Sequence, residues 1–349
     1  MDRNLNTLLS GRENNFDFMR FGAAVLVILS HAYPLTGRLE PLKEFSHGLT
    51  TLGTIAVAIF FVISGMLIAQ SFERTKSFSH FVEARILRIY PALIVTIMIT
   101  TFILGPILTN NSLTEYFTNG FTFKYLSNVF AVKIQYYLPG VFETNPFPNA
   151  VNGSLWTLPL ELGCYALIAA ALFLLRKRYL FSFILLVIAA IYLRGGLKNE
   201  NILYFAFGSM LYLARHYVSM NPYIAMLSAV GFIISFMLPI QLSTKLLHCI
   251  SSTYLIIYIG FIKVPLLTNF TKYGDFSYGI YIWAFPIQQT IVYFYPDLTI
   301  LSHFALSTFI TFCFAFASWH LVEKRALALK KRFNYKPLSL SKKQLASKI

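Results

Sequence analysis

Long apolar runs, closed by short clusters of basic residues, set the pattern of this chain. Read at lengths of about 17–25 residues, they predict ten membrane-spanning helices. These lie at 18–36, 49–72, 88–109, 154–175, 179–194, 200–215, 222–241, 244–262, 276–295 and 299–321, the fifth and sixth being short. An even number of spans returns the C-terminus to the side of the N-terminus. One connection is long, 110–153, and carries the turn and breaker clusters NNS, NG, LPG, NPFP and NGS. Its aromatics, Phe117, Phe121, Phe123, Tyr125, Tyr136 and Tyr137 among them, predict an ordered cover over the outer face. No internal repeat of the inverted kind common in transporters is visible.

Composition agrees with this pattern. The 349 residues are 56% hydrophobic and 12% charged, with a mean hydropathy of +0.62, whereas a soluble domain is about a quarter charged. So little charge cannot cover a water-facing surface, so the bilayer is the main solvent and the fold class is an all-α polytopic membrane protein. Of 29 Lys and Arg, 22 fall on the side of the termini, and 13 against 7 remain when the basic tail is set aside. Positive residues favour the cytoplasm, which places both termini there. The first seventeen residues are polar and lack a cleavage site, so the first span is expected to stay in the mature protein.

The net charge of +15 is thus an orientation signal. The tail KKRFNYKPLSLSKKQLASKI has no aromatic-interleaved surface for base stacking, and no nucleic-acid partner is expected. Cys164, Cys249 and Cys313 sit in apolar runs as small core residues. Zinc-type spacing, a glycine-rich phosphate loop and a serine nucleophile elbow are all missing, so no metal is expected.

Candidate chemistry begins in RFGAAVLVILSH. Arg20 and His31 are eleven residues apart, which puts them on one helical face and about 16 Å apart along the axis. Asp17, three residues before Arg20, can pair with it. Such groups are costly inside a membrane and generally face a cavity; the plainer alternative is an arginine snorkelling to headgroups and a histidine bonded to a neighbouring helix. In FVEARILRIYP, Arg85 and Arg88 share a face at the inner boundary, either as anchors or as a pair that grips phosphates. In NGSLWTLPLELGCYAL, Trp156 fits an interfacial anchor, and Glu161 needs a partner or a wet cavity. In DFSYGIYIWAFPIQQTI, Tyr278, Tyr281, Gln288 and Gln289 decorate a helix kinked near Pro286. They either line a sugar-sized cavity or bond between helices. Ser64-Gly65 offers a small patch for close helix packing, and His303 and His320 read as packing residues.

The ordered set NFDFMRFGAAVLVILSH, FFVISGMLI, ARILRIYPAL, NGSLWTLPLELGCY, SYGIYIWAFPIQ and LVEKRAL resembles the acyltransferase-3 family of membrane acyltransferases over residues 15–325. The resemblance implies a transmembrane domain over 1–325 and a basic cytoplasmic tail over 326–349, in a multi-pass protein of the bacterial inner membrane. It also implies O-acetylation: transfer of acetyl from cytoplasmic acetyl-CoA, as co-substrate, to a sugar hydroxyl of a surface polysaccharide such as lipopolysaccharide O-antigen. In that reading His31 is the base or acyl carrier, Arg20 its partner with Asp17, and Arg85 and Arg88 bind the CoA phosphates. Glu161 belongs to the site, and Trp156, Tyr281, Gln288 and Gln289 meet the glycan or lipid-linked glycan acceptor. One departure stands out: many members have histidine where this chain has Ala284. A transporter or flippase for a lipid-linked sugar or small anion is the alternative, and self-association is left open.

Overall fold

The computed structural model describes residues 3–11, 13–75, 78–175, 200–268 and 270–329. Among these are nine helices of ten residues or more: α1 (Phe16–Leu35), α2 (Leu52–Thr75), α3 (Phe78–Ile99), α4 (Thr157–Leu175), α5 (Glu200–Leu213), α6 (Pro222–Ser235), α7 (Leu242–Gly260), α8 (Ser277–Phe294) and α9 (Ile300–Ser318). Six stretches are long and apolar enough to cross a membrane: Phe16–Leu35, Leu52–Arg74, Phe78–Leu108, Gly153–Ala170, Leu242–Gly260 and Ile300–Ala328.

Six of the ten expected spans thus have a counterpart of this kind among the described residues. The span expected at 179–194 lies outside them. Those at 200–215 and 222–241 hold α5 and α6, each described over 14 residues; for α6 that length is short for a crossing. The segment at 276–295 forms α8, whose residues from Ser277 to Gln289 are all buried. A helix enclosed on every side is a bundle core, and α1 and α9 pack against it. Outward-facing positions are apolar: Phe309 on α9 is 68% exposed and Leu227 on α6 70%, as expected of surfaces that face lipid.

Local chemistry sets the boundaries. The Asn221 side chain accepts from the Tyr223 N–H and is followed by Pro222 at the first helical position of α6. Thr299 accepts from the Ser302 N–H at the start of α9. Inside α8, Pro286 has no N–H to offer the Ile282 carbonyl four residues back. Asn152 supplies the missing donor through Nδ2, at 2.9 Å. Tertiary rescue of this kind is what makes a proline tolerable in a membrane helix.

The long connection is ordered. It forms the short helices Leu113–Thr118 and Gly120–Tyr125, the first closed by a Ser112–Glu115 capping box, then a 3-10 turn at Leu126–Phe130, and runs as irregular chain to Ala150. Asn145 Nδ2 donates to Gln289 Oε1 at 2.8 Å, and Gln289 Nε2 returns to the carbonyls of Phe147 and Ala150. A two-residue antiparallel pairing of Arg3–Asn4 with Ser219–Met220 ties the N-terminal segment to the α5–α6 connection.

The small patch at Ser64-Gly65 receives α5. A Cβ on Gly65 would lie 2.1 Å from the Phe205 carbonyl oxygen, and one on Gly208 would lie 2.2 Å from that of Val62. Ser209 Oγ completes the crossing by donating to Gly65 O at 3.0 Å. Without a side chain on either helix the backbones can meet, and dispersion and hydrogen bonding drive association. Gly208→Val is therefore expected to cost at least about 2–3 kcal/mol through overpacking, read as lower yield and a lower melting temperature in detergent. Gly22, with nothing near its absent side chain, accepts Ala without that loss.

Candidate active site

Two cavities of about 300 Å³ each lie along α1. The first is walled by Arg20, Arg85, Arg88, Glu161, Asp275 and Tyr278. The second is walled by Ser30, His31, Glu40, Trp156 and Asn201. Val57 and Tyr281 line both, so the two chambers share a wall. The single face of α1 that carries Arg20 and His31 thus opens one residue into each chamber.

The arginine cavity is organised by an ion-pair chain. Asp275, just before α8, accepts from Arg88 Nη2 at 2.6 Å and faces Arg20 Nη1 at 3.7 Å. Arg88 Nη1 also reaches Glu323 Oε2 at 3.4 Å, and Ser318 and Ser277 donate to the two carboxylates. Asp275 is thus one carboxylate that meets Arg20, and Asp17 lines neither cavity. Burial raises the cost of ionising Asp275, but Arg88 and Arg20 outweigh it and hold the group below the usual carboxylate range.

Arg85 differs from Arg88. Its Nη2 donates to Ser71 Oγ at 3.3 Å, and its guanidinium lies 5.5 Å from the Phe81 ring and 6.0 Å from that of Tyr165. Among the described residues no carboxylate pairs with it. Nε of Arg85 and Nε of Arg20 are both buried without a hydrogen-bond partner. Glu161, on α4, faces this cavity and accepts from the Tyr165 hydroxyl, so it has both a partner and a polar chamber. The arginine cavity thus presents spare donors, which suits an anion.

In the second cavity the His31 ring packs edge-on against Phe285, with centroids 5.2 Å apart, and its Nδ1 is buried without a hydrogen-bond partner. Phe147 of the long connection meets the other side of Phe285. Trp156 is 40% exposed on this wall. The Tyr281 hydroxyl is fixed in the partition by Thr157 Oγ1 at 2.6 Å and the Ser154 carbonyl at 2.7 Å.

Gln288 and Gln289 reach neither cavity. Both are fully buried, Gln288 donating to the Ile28 carbonyl on α1 at 2.8 Å and Gln289 holding the long connection. They bond between elements, as the plainer reading of their sequence allows. Ala284 is fully buried in a cluster with Ala24, Ile28 and Ala315. His303 is buried with Nε2 3.2 Å from the Gln288 carbonyl, and His320 packs on Phe316. Asp275 and Glu323 were not singled out by sequence, because a carboxylate at a span boundary reads as a solvated end; only the fold turns them inward.

The acyltransferase-domain family model matches residues 13–320. The chain belongs to the acyltransferase-3 family. It is 33% identical over 340 residues to an O-acetyl transferase of Shigella phage Sf6, covering 90% of this chain and 96% of that protein. It is also 34% identical over 163 residues to nodulation protein 10 of Rhizobium leguminosarum bv. viciae, covering 45% of this chain and 43% of that one. No solved structure matches. The protein is a multi-pass membrane acyltransferase, and all residues that line its two chambers except Leu327 lie within the family-matched region.

Asp275→Asn leaves Arg20 and Arg88 facing each other without their shared counter-charge. Breaking a buried pair in this way costs on the order of 3 kcal/mol, seen as a lower melting temperature at pH 7. Because the folded carboxylate titrates below its unfolded value of about 3.9, the tie is fully present above that pH and fades as pH falls through the folded value. Melting curves from pH 6 down to 2 are therefore expected to bring wild type and variant together at the acid end.

Proposed function

We propose that this acyltransferase is an O-acetyltransferase that moves acetyl from cytoplasmic acetyl-CoA to a sugar hydroxyl of a bacterial surface polysaccharide, such as the O-antigen of lipopolysaccharide, at the inner membrane. The observation that carries this reading is the pair of chambers meeting at Tyr281, one lined by arginines and the other by a histidine. The phage relative's name supports O-acetyl transfer, and the charge bias of the sequence supports a cytoplasmic arginine end.

In this reaction the CoA phosphates enter beside Arg85, whose charge has no carboxylate partner among the described residues and whose guanidinium can grip them bidentately. Arg88, already matched by Asp275 and Glu323, holds the chamber together rather than the donor. The thioester reaches past the Tyr281 partition toward His31. Neutral His31 takes the proton of the acceptor hydroxyl as its oxygen attacks the thioester carbonyl. The carbon–sulfur bond breaks, CoA leaves as thiolate, and the imidazolium returns the proton to it. The acceptor glycan, free or lipid-linked, enters by the histidine chamber under the 110–153 cover.

His31→Ala is expected to lower transfer by 10²-fold or more while the protein remains folded. Proton NMR of surface polysaccharide from expressing cells reads this as loss of the acetyl ester signal with the glycan itself unchanged. Loss of the glycan as well would favour a flippase, and an undiminished ester would remove His31 from the chemistry. Arg85→Ala is expected to raise the KM for acetyl-CoA about tenfold or more without moving the melting temperature, a result that a structural role like that of Arg88 would not give.

A further inference from the structure

The histidine chamber holds two buried polar side chains that the proposed transfer does not use. Glu40, at the start of the short helix Pro41–Phe45, is 6% exposed, and Asn201, near the start of α5, is 7% exposed. Both line the cavity with His31. Glu40 is locked in place: Ser30 Oγ donates to its Oε2 at 3.1 Å, and the Leu52 N–H, the first of α2, donates to its Oε1. A carboxylate has about four acceptor positions, so two bonds leave lone pairs to spare. Among the described residues Asn201 Oδ1 is buried without a hydrogen-bond partner, as is His31 Nδ1.

The chambers therefore differ in kind. Among the described residues the unpaired atoms at the arginine end are donors, Arg20 Nε and Arg85 Nε; at the histidine end they are Asn201 Oδ1, an acceptor, and His31 Nδ1, an acceptor in the tautomer protonated on Nε2. A buried acceptor without a partner costs free energy that a bound donor relieves. The cations on this wall, Arg38 and Lys43, are exposed at the rim, where solvent and salt screen them. The buried groups consequently set the preference, and they call for a ligand rich in O–H donors and without negative charge.

We propose that Glu40 and Asn201 bind the acceptor, anchoring hydroxyls of a neutral sugar ring so that another hydroxyl of that ring faces His31. This rests on the acetyl-transfer reading for its chemistry, yet binding can be measured without turnover. Sites built to bond substrate hydroxyls discriminate strongly, because the same polar groups are left unpaired by a wrong ligand. A uronate would in addition set its carboxylate near that of Glu40.

The test uses full-length protein in nanodiscs, titrated with methyl glucoside, methyl galactoside and methyl rhamnoside as neutral probes and methyl glucuronide as the acidic one. Tryptophan emission reports binding, since Trp156 lies on the cavity wall. Glu40→Gln and Asn201→Ala are each expected to weaken the best neutral glycoside about tenfold, with acetyl-CoA affinity and melting temperature unchanged. Glucuronide binds wild type more weakly than the neutral probes and gains on Glu40→Gln. The proposal is overturned if wild type binds no neutral glycoside saturably, or if both variants bind it normally. It is equally overturned if both lose affinity only together with thermal stability, which would leave Glu40 as a cap on α2 and nothing more. Glycoside binding that depends on Glu40 and Asn201 without ester formation from acetyl-CoA would sink the transfer reading and leave this one standing.

Discussion

A buried arginine must be matched, and one carboxylate here matches two. Asp275 lies between Arg88 on α3 and Arg20 on α1, and Glu323 beyond the end of α9 adds a second contact to Arg88. Four segments far apart in sequence are drawn to one point by this chain of charges. Where water is scarce an unmatched ion is costly and a matched one holds its geometry. These pairs close around the edge of the arginine chamber, while Arg85 has no salt bridge among the described residues and is held by Ser71, with Glu161 on the same cavity wall acting on its charge.

The second organising feature is the position of α1. It packs against α2 and α8 and passes both chambers, so its helical rise sets how far apart the arginine and histidine ends stand. Tyr281, clamped by Thr157 and the Ser154 carbonyl, closes the space between them. The arginine side of this partition leaves guanidinium donors without a partner among the described residues, and the histidine side leaves the Asn201 amide oxygen so. In the proposed reaction that asymmetry keeps an anionic donor and a hydroxyl-bearing acceptor in their own chambers until they meet at the wall.

Much of the site was legible in sequence because ionisable residues inside apolar runs are conspicuous. Arg20, His31, Arg85, Arg88, Glu161, Trp156 and Tyr281 all line one chamber or the other. Gln288 and Gln289 were ambiguous for a physical reason: an amide in an apolar helix satisfies itself equally well against a ligand or a neighbouring backbone. The fold resolves it, giving one to Ile28 and the other to the long connection. Asp275, Glu323, Glu40 and Asn201 were illegible for the opposite reason. Asp275, Glu40 and Asn201 stand at or near a helix start and Glu323 in the last turns of Ile300–Ala328, where polar residues are ordinary, and nothing local says that any of them points inward.

Sequence by itself determined the all-α membrane class of the protein, because hydropathy and periodicity act over a few turns and need no partner, and its ordered motifs carried the resemblance to the family. It also determined that Arg20 and His31 share a face, since 3.6 residues per turn is a local constant. Only the tertiary structure decided which carboxylate neutralises which arginine, which of the two arginines in ARILR stays unpaired, and which polar atoms are left facing a cavity. Those outcomes depend on segments more than a hundred residues apart meeting in space, as Asp275 and Arg88 do across 187 positions. Pairing of that range is settled by packing the whole bundle, which no window of sequence contains.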